Sequence, residues 1–281
     1  MLATINAMTA RQSDQARQFR ALHDAPGTFV IPNPWDAGSA RLLEARGFRA
    51  LATSSAACAA MLGRPDNCVS REEALAHART IAQAVGVPVS GDLENGFGAA
   101  PETVAETIRL AAEAGLVGGS IEDFTGDPAR PLYDLGQAVE RVTAAAEAAR
   151  SVGFPFVLTA RTENLVNDVG GIDETIRRLQ AYERAGADVL FAPGLRDLPS
   201  VLAVCAALRQ PVNFMGGMSG ASFSVAELAA TGVKRISVAA SLYRAALTGV
   251  DQAAKEILEQ GTFTYANRIL TSADVSPFLR R

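Results

Sequence analysis

Lysine is almost missing from this chain: among 281 residues there are only Lys234 and Lys255. Lys234 precedes an expected strand and Lys255 lies within an expected helix, so neither reaches a strand end. That argues against a Schiff-base aldolase, which needs a lysine at the reacting carbon. Cysteine is scarce as well. Cys58, Cys68 and Cys205 match neither the spacing of a zinc site nor a disulfide framework. They read as buried or incidental thiols in a reducing compartment. The two histidines, His23 and His77, fall on helices away from the expected site and are given structural roles. There is no basic block and the net charge is −4, which argues against nucleic acid as a partner. No signal peptide or membrane span is visible, because the start from Met1 to Arg20 is polar and rich in Gln and Arg. The expectation is a cytoplasmic protein with no membrane partner.

What is present is apolar and periodic. Hydrophobic residues make up 48% of the chain, enough for a sizeable core. The length suits one large barrel or two small domains. Short β-like runs alternate with helical stretches. Strands are expected at 28–32, 50–53, 87–90, 119–122, 156–160, 189–192, 211–214 and 235–239. Helices are expected at 10–23, 37–46, after Ser70, from Pro101, and at 134–151, 172–184, 198–208, 225–230 and 242–259. A last helical segment at 263–270 leads into a polar tail. Ser70 and Glu73 form a capping box, and Pro101 suits a first helical position. Glycines 47, 115, 186 and 232 end helices just before strands. Eight strand–helix units favour an α/β (β/α)₈ TIM barrel over a doubly wound open sheet. No linker interrupts the pattern, so residues 1–281 read as a single barrel domain with extra helices at both ends. Those helices cap the barrel or pack on a neighbouring subunit.

The acids sit where such a barrel keeps its chemistry, at the C-terminal ends of strands. Asp92 and Glu94 follow Val87-Pro88-Val89 and, two residues apart, can face one side. Magnesium prefers oxygen ligands and keeps several waters, which suits one direct carboxylate and others reaching the waters. Glu122 and Asp123 end an apolar strand, where an unpaired charge is costly. Arg161 ends the next strand and offers a planar fork of donors for a carboxylate, with Glu163 two residues on. For Glu122–Asp123 and Arg161, a cap or a structural salt bridge remains the competing reading. Thr53-Ser54-Ser55-Ala56-Ala57 offers backbone N–H groups and hydroxyls to an anion, or is a simple turn. Asp66 adds an acid in the following loop, and Asn213 adds an amide for a second carboxylate or an oxyanion. Trp35 and Asp36 end the first strand as a wall and a helix cap.

As an ordered set, these segments resemble the isocitrate lyase/phosphoenolpyruvate mutase superfamily. The carriers are Thr53-Ser54-Ser55-Ala56, Leu62-Gly63-Arg64-Pro65-Asp66, Gly91-Asp92-Leu93-Glu94-Asn95-Gly96-Phe97-Gly98, Ile121-Glu122-Asp123 and Ala160-Arg161-Thr162-Glu163. The resemblance implies a barrel with Mg²⁺ (Mn²⁺ also suits the donors) chelated by a 2-oxo or 2-hydroxy acid. It implies Asp92 as the direct metal ligand, with Asp66, Glu94 and Glu122 acting through metal-bound waters. It implies that Ser54, Ser55 and Ala56 hold the substrate carboxylate and that Arg161 contacts the substrate oxygens. It further implies a homodimer or homotetramer in which the last helix is swapped between subunits. Residues and resemblance together nominate Arg161, Glu122 and Asp66 for catalysis. They nominate Ser54, Ser55, Ala56, Trp35, Arg161 and Asn213 for the substrate, and Asp92, Glu94 and Glu122 for the metal.

Three departures shape the functional expectation. The lyase loop that carries cysteine in this superfamily is here the short stretch from Phe124 to Tyr133, with no cysteine and no lysine. The usual Asp-Ala-Asp is Asp92-Leu93-Glu94, and the usual Ser-Gly-Gly or Ser-Gly-Leu is Ser54-Ser55-Ala56. The reading is a Mg²⁺-dependent lyase that cleaves a C–C bond of a small 2-oxo or 2-hydroxy acid through an enolate, as an oxaloacetate decarboxylase does. A phosphonopyruvate hydrolase or phosphoenolpyruvate mutase is the first alternative, although the loop offers only Arg130 to a phosphoryl group. A non-catalytic barrel that binds a 2-oxo acid is the second.

Overall fold

The apolar runs become eight short strands because each is buried on both faces, against the barrel interior and against helices. In a computed structural model describing residues 2–217, 220 and 222–279, they are β1 (Phe29–Ile31), β2 (Leu51–Ala52), β3 (Val89–Asp92), β4 (Gly118–Glu122), β5 (Val157–Arg161), β6 (Val189–Phe191), β7 (Val212–Met215) and β8 (Arg235–Ser237). All pair in parallel, in the order β1-β8-β7-β6-β5-β4-β3-β2. Between β1 and β2 the Ala52 N–H donates to the Pro32 carbonyl at 3.1 Å. Asn33 Nδ2 donates to the Thr53 carbonyl at 2.8 Å. These two bonds bridge the gap, and the sheet is a nearly closed (β/α)₈ barrel.

The helices are α1 (Leu2–Asp24), α2 (Ala37–Ala45), α3 (Ser55–Met61), α4 (Arg71–Ala84), α5 (Pro101–Glu113), α6 (Leu135–Ser151), α7 (Gly171–Arg184), α8 (Leu198–Ala206), α9 (Val225–Ala230), α10 (Ser241–Gln260) and α11 (Ser272–Leu279). Asp36 with Ser39, Ser70 with Glu73 and Ser224 with Glu227 cap α2, α4 and α9 by reciprocal side-chain bonds. Gly115 and Gly186 turn into their strands at φ +98° and +103°, where a Cβ is strained. Two helices differ from expectation. Helix α3 occupies the stretch read as a loop or turn, and α11 occupies the stretch read as a polar tail. In place of a helix over 263–270 there is a short 3₁₀ turn, Thr264–Arg268.

Two apolar cores result. Outward strand residues such as Ile121, Leu158, Leu190, Phe214 and Ile236, with Leu93 just past β3, pack under the helix ring. Inside, Phe29, Val117, Val157 and Val189 close the N-terminal end together with Phe19 of α1. A Cβ on Gly118 would lie 2.8 Å from the Phe19 ring, so glycine there admits the plug. Polar bonds hold α1 in place. Gln12 Nε2 donates to the carbonyls of Ala112 and Leu116 at 2.7 and 3.0 Å, and Gln15 Nε2 to that of Gly86 at 2.8 Å. Arg20 pairs with Asp188 at 2.8 Å. At the other terminus, α10 has no buried residue and exposes Val250 and Leu258. Among the described residues no helix is long and apolar enough to cross a membrane.

Candidate functional site

Towards the C-terminal ends of the strands the barrel interior turns polar. Ser90, Ser120, Thr159, Asn213 and Ser237 replace the valines and phenylalanines of the floor. A cavity of about 50 Å³ opens there, lined by Asp92, Arg161, Phe191, Asn213 and Arg235. A wider cleft of about 430 Å³ adjoins the acids, with Glu94, Asn95, Phe97 and Phe124 on its walls.

Asp92 is the centre of the cluster. Its N–H donates to Thr53 Oγ1 at 2.9 Å. Its Oδ2 accepts from the Ser55 N–H at 2.9 Å. Its Oδ1 is buried and has no hydrogen-bond partner, with Arg161 Nη1 at 3.9 Å. An acceptor left so is costly unless something else uses it. Arg161 Nη1 lies 3.4 Å from Glu122 Oε2, and Arg161 Nε donates to Glu163 Oε1. The Phe191 ring supports the guanidinium at 5.2 Å.

The carboxylates resist ionising together. Burial pushes Glu94 up to about 7, reinforced by Asp92 and Asp66 and opposed by Arg161. Burial raises Glu122 well above the usual carboxyl range, with Glu163 and Asp92 adding to the shift and Arg161 opposing it. Asp66 is exposed as a residue, yet loss of water around its carboxyl and the charge of Asp92 raise it too. Burial alone would lower Arg161, but Glu163, Glu122 and Asp92 push it further up, so it stays a cation. The backbone is also bent at the mouth: Glu94 and Ala239 lie at φ +49° and +47°. Such strain gathers at functional sites. Among the described residues, no three His, Cys, Asp or Glu side chains converge to hold an ion unaided. One direct carboxylate completed by waters is the arrangement these donors allow, and it suits Mg²⁺.

The structure separates Asp123 from Glu122. Its Oδ1 accepts from the Glu163 N–H at 2.8 Å, while its Oδ2 accepts from Arg178 Nη1 at 3.0 Å and from the Tyr182 hydroxyl at 2.6 Å. It clamps β4, β5 and α7 and fixes the backbone that carries Glu163.

Residues 19–258 match the phosphoenolpyruvate phosphomutase family. The chain belongs to this family. Among its relatives, 2-methylisocitrate lyase of Escherichia coli (strain K12) is 29% identical, over 88% of this chain and 85% of that protein. Oxaloacetate decarboxylase of Bradyrhizobium diazoefficiens is 31% identical over 71% and 70% of the two chains. A solved structure from Burkholderia cenocepacia J2315, provisionally described as a lyase/mutase, superposes with a TM-score of 0.94 at 53% identity, covering 95% and 97% of the chains.

In this phosphomutase-family barrel the nominated residues fall into three groups. Asp92, Arg161 and Glu122 meet directly, Ser55 touches Asp92 through its N–H, and Asp66 sits close enough to help raise Glu94. Ser54, Ser55 and Ala56 form the cap and first turn of α3, with Ser54 Oγ accepting from the Ala57 N–H at 3.3 Å. Asn213 lines the cavity, but its Oδ1 is taken by Arg235 at 2.8 Å and its Nδ2 donates to Ser237 at 3.0 Å. Trp35 lies to one side, its carbonyl bound by His77 at 2.7 Å and its ring edge-on to Tyr243. Sequence reasoning missed Phe191 and Arg235, and the bond by which Thr53 holds the Asp92 N–H. Their signal was inward strand parity, legible only once each strand's register is fixed.

Proposed function

We propose that this chain is a single-domain (residues 1–281) cytoplasmic lyase that needs a divalent cation and breaks a C–C bond of a small 2-oxo or 2-hydroxy carboxylic acid. The observation that carries this reading is the buried, unpartnered Asp92 Oδ1 beside Arg161 and acids that resist ionising. Those donors fit Mg²⁺, with Mn²⁺ also acceptable to oxygen ligands. Asp92 would hold the ion directly, with Glu94, Glu122 and Asp66 reaching it through water. Bound there, the ion supplies Lewis-acid polarisation of the 2-oxo group and offsets the crowded negative charge.

The chain's own groups do the rest. Arg161, gripped by Glu163 and backed by Phe191, donates to the substrate oxygen where enolate charge develops. Ser54, Ser55 and Ala56, at the first turn of α3, face the substrate carboxylate, and the Ser55 N–H fixes Asp92. Glu122, whose carboxyl burial holds well above the usual range, lies 3.4 Å from Arg161 and is the proton donor assigned to this site. The stretch from Phe124 to Tyr133 folds into a tight hairpin, closed by a Phe124–Leu132 bridge and a 2.8 Å bond from the Thr125 N–H to the Pro131 carbonyl. It brings no cysteine or lysine to the site. A decarboxylation starts without a protein base, so oxaloacetate is the substrate favoured over a methylisocitrate-type acid, whose hydroxyl must first lose a proton. The exposed apolar face of α10 is assigned to contact between subunits of a homodimer or homotetramer.

The test is pyruvate release from oxaloacetate with Mg²⁺, above the metal-only background, for the wild type and Asp92→Ala. Release that disappears in the variant and with chelator supports the reading. No release on oxaloacetate but turnover of phosphonopyruvate shifts it to a C–P enzyme. Binding of oxo acids without any turnover makes the chain a binder.

A further inference from the structure

Arg235 is an arginine buried inside the barrel, 5% exposed, with no carboxylate opposite it among the described residues. Its Nε donates to Asn213 Oδ1 at 2.8 Å and its Nη2 to Thr159 Oγ1 at 2.9 Å. Its Nη1 lies 3.4 Å from His23 Nε2. His23 Nδ1 sits 2.8 Å from the Phe19 carbonyl, which fixes the proton on Nδ1 and leaves Nε2 as an acceptor. Burial, with Arg235 adding to it, pushes His23 down to about 3, so the ring is neutral. Every acceptor of Arg235 is therefore neutral. Burial pulls Arg235 down to about 9, and at neutral pH it is still a cation.

An uncompensated buried charge is costly, and an apolar side chain of similar size would fill a purely structural position better. A guanidinium has five N–H donors. Three are engaged, leaving one on Nη1 and one on Nη2. Arg235 lines the same cavity as Asp92 and Arg161. Its anchor Thr159 precedes Arg161 by two residues on β5, so it lies one inward-facing layer, about 6.6 Å, deeper. The cavity of about 50 Å³ exceeds the roughly 10–15 Å³ that one water needs.

We propose that Arg235 receives the second carboxylate of a short 2-oxo dicarboxylate whose first carboxylate is held at the mouth. This rests on the lyase reading above and narrows its substrate class to dianions. A monocarboxylate of the same length would press its alkyl end on the guanidinium and leave the charge unpaired, which is the element of rejection. Asn213 and Thr159 are positioning residues, each accepting one N–H of the fork.

The experiment is competition against oxalate in Mg²⁺ by calorimetry. Oxalate has no second pole to reach Arg235 and serves as the reference. Oxaloacetate is paired with 2-oxobutyrate, and 2-oxoglutarate with 2-oxopentanoate. The wild type is expected to prefer the dianion of at least one pair by about tenfold or more. In Arg235→Met that ratio is expected to fall towards one. Arg235→Gln is read in its place if the Met variant does not fold. Parity of both pairs in the wild type, or an unchanged ratio in a folded variant, overturns the role of Arg235 alone. No cation-dependent oxalate binding in the wild type overturns the lyase site itself and this role with it.

Discussion

The two ends of the barrel are built from the same strands and the same two-residue alternation, yet they do opposite things. At the floor the inward residues are Phe29, Val157 and Val189, sealed by Phe19, all 7% exposed or less. At the mouth, farther along the strands, they are Asp92, Glu122 and Arg161, with Glu94 held in a left-handed backbone just beyond. The floor is apolar and close-packed. The mouth breaks several at once: crowded like charges, an orphaned buried oxygen and strained residues. Stability and chemistry are thus divided along the barrel axis, as in other barrels of this type. Arg235 lies between, polar in contact but unpaired in charge.

The sharpest way to break this division is Asp92→Ala. Cation-dependent turnover is expected to drop by more than about 100-fold, to background, since even a supporting shell residue costs 10–100-fold. The melting temperature is expected to change little, because the unpaired buried Oδ1 is removed while the Ser55 N–H loses its acceptor. Equal loss of stability would make Asp92 structural. Phe19→Ala is the mirror experiment. Emptying the plug is expected to cost about 3–5 kcal/mol in urea unfolding. Cation-dependent oxalate affinity should be retained in the folded fraction, and its loss would show that the two ends are not independent.

Arg161→Ala comes next, with kcat and kcat/KM expected to fall together by about 100-fold or more, as for a contact made in the transition state. A change confined to KM would make it a ground-state anchor. A further effect is a pH slope set at the floor. His23 is held at about 3, below its ordinary 6.5. A depressed folded pKa contributes stability that is present above 6.5 and lost as pH falls towards about 3. Melting temperature should therefore decline through that window. His23→Gln should flatten the decline, and an unchanged slope would place the acid sensitivity elsewhere.

The strands were legible because a buried parallel strand writes itself as a short apolar run, and the site acids because each run ends in charge. Where the sequence reading slipped, the reasons are physical. The third strand was expected to stop at 90, since Gly91 reads as a turn, but it continues to Asp92. There the glycine makes room, because a Cβ would lie 2.6 Å from Leu116. Helix α3, at seven residues, is too short to show a helical period. Helix α11 hides behind Pro277, although Thr271 and Asp274 carry its cap. Asp123 read as a twin of Glu122, yet adjacent strand residues face opposite sides, and it turns to Arg178 and Tyr182. Arg235 opens its strand beside Lys234, and nothing in the sequence singles it out. Only tertiary structure brings His23, Thr159 and Asn213 around it.

Acids at the mouth that hold a divalent cation, and through it a small 2-oxo acid, would bind oxalate only with the cation present. The most direct test of this claim is calorimetric titration of oxalate into the wild type and Asp92→Asn, each with Mg²⁺ and with chelator. Binding is expected in the wild type only with the cation, and in the variant under neither condition. Oxalate binding that ignores the cation, or persists in a folded Asp92→Asn, would contradict the claim.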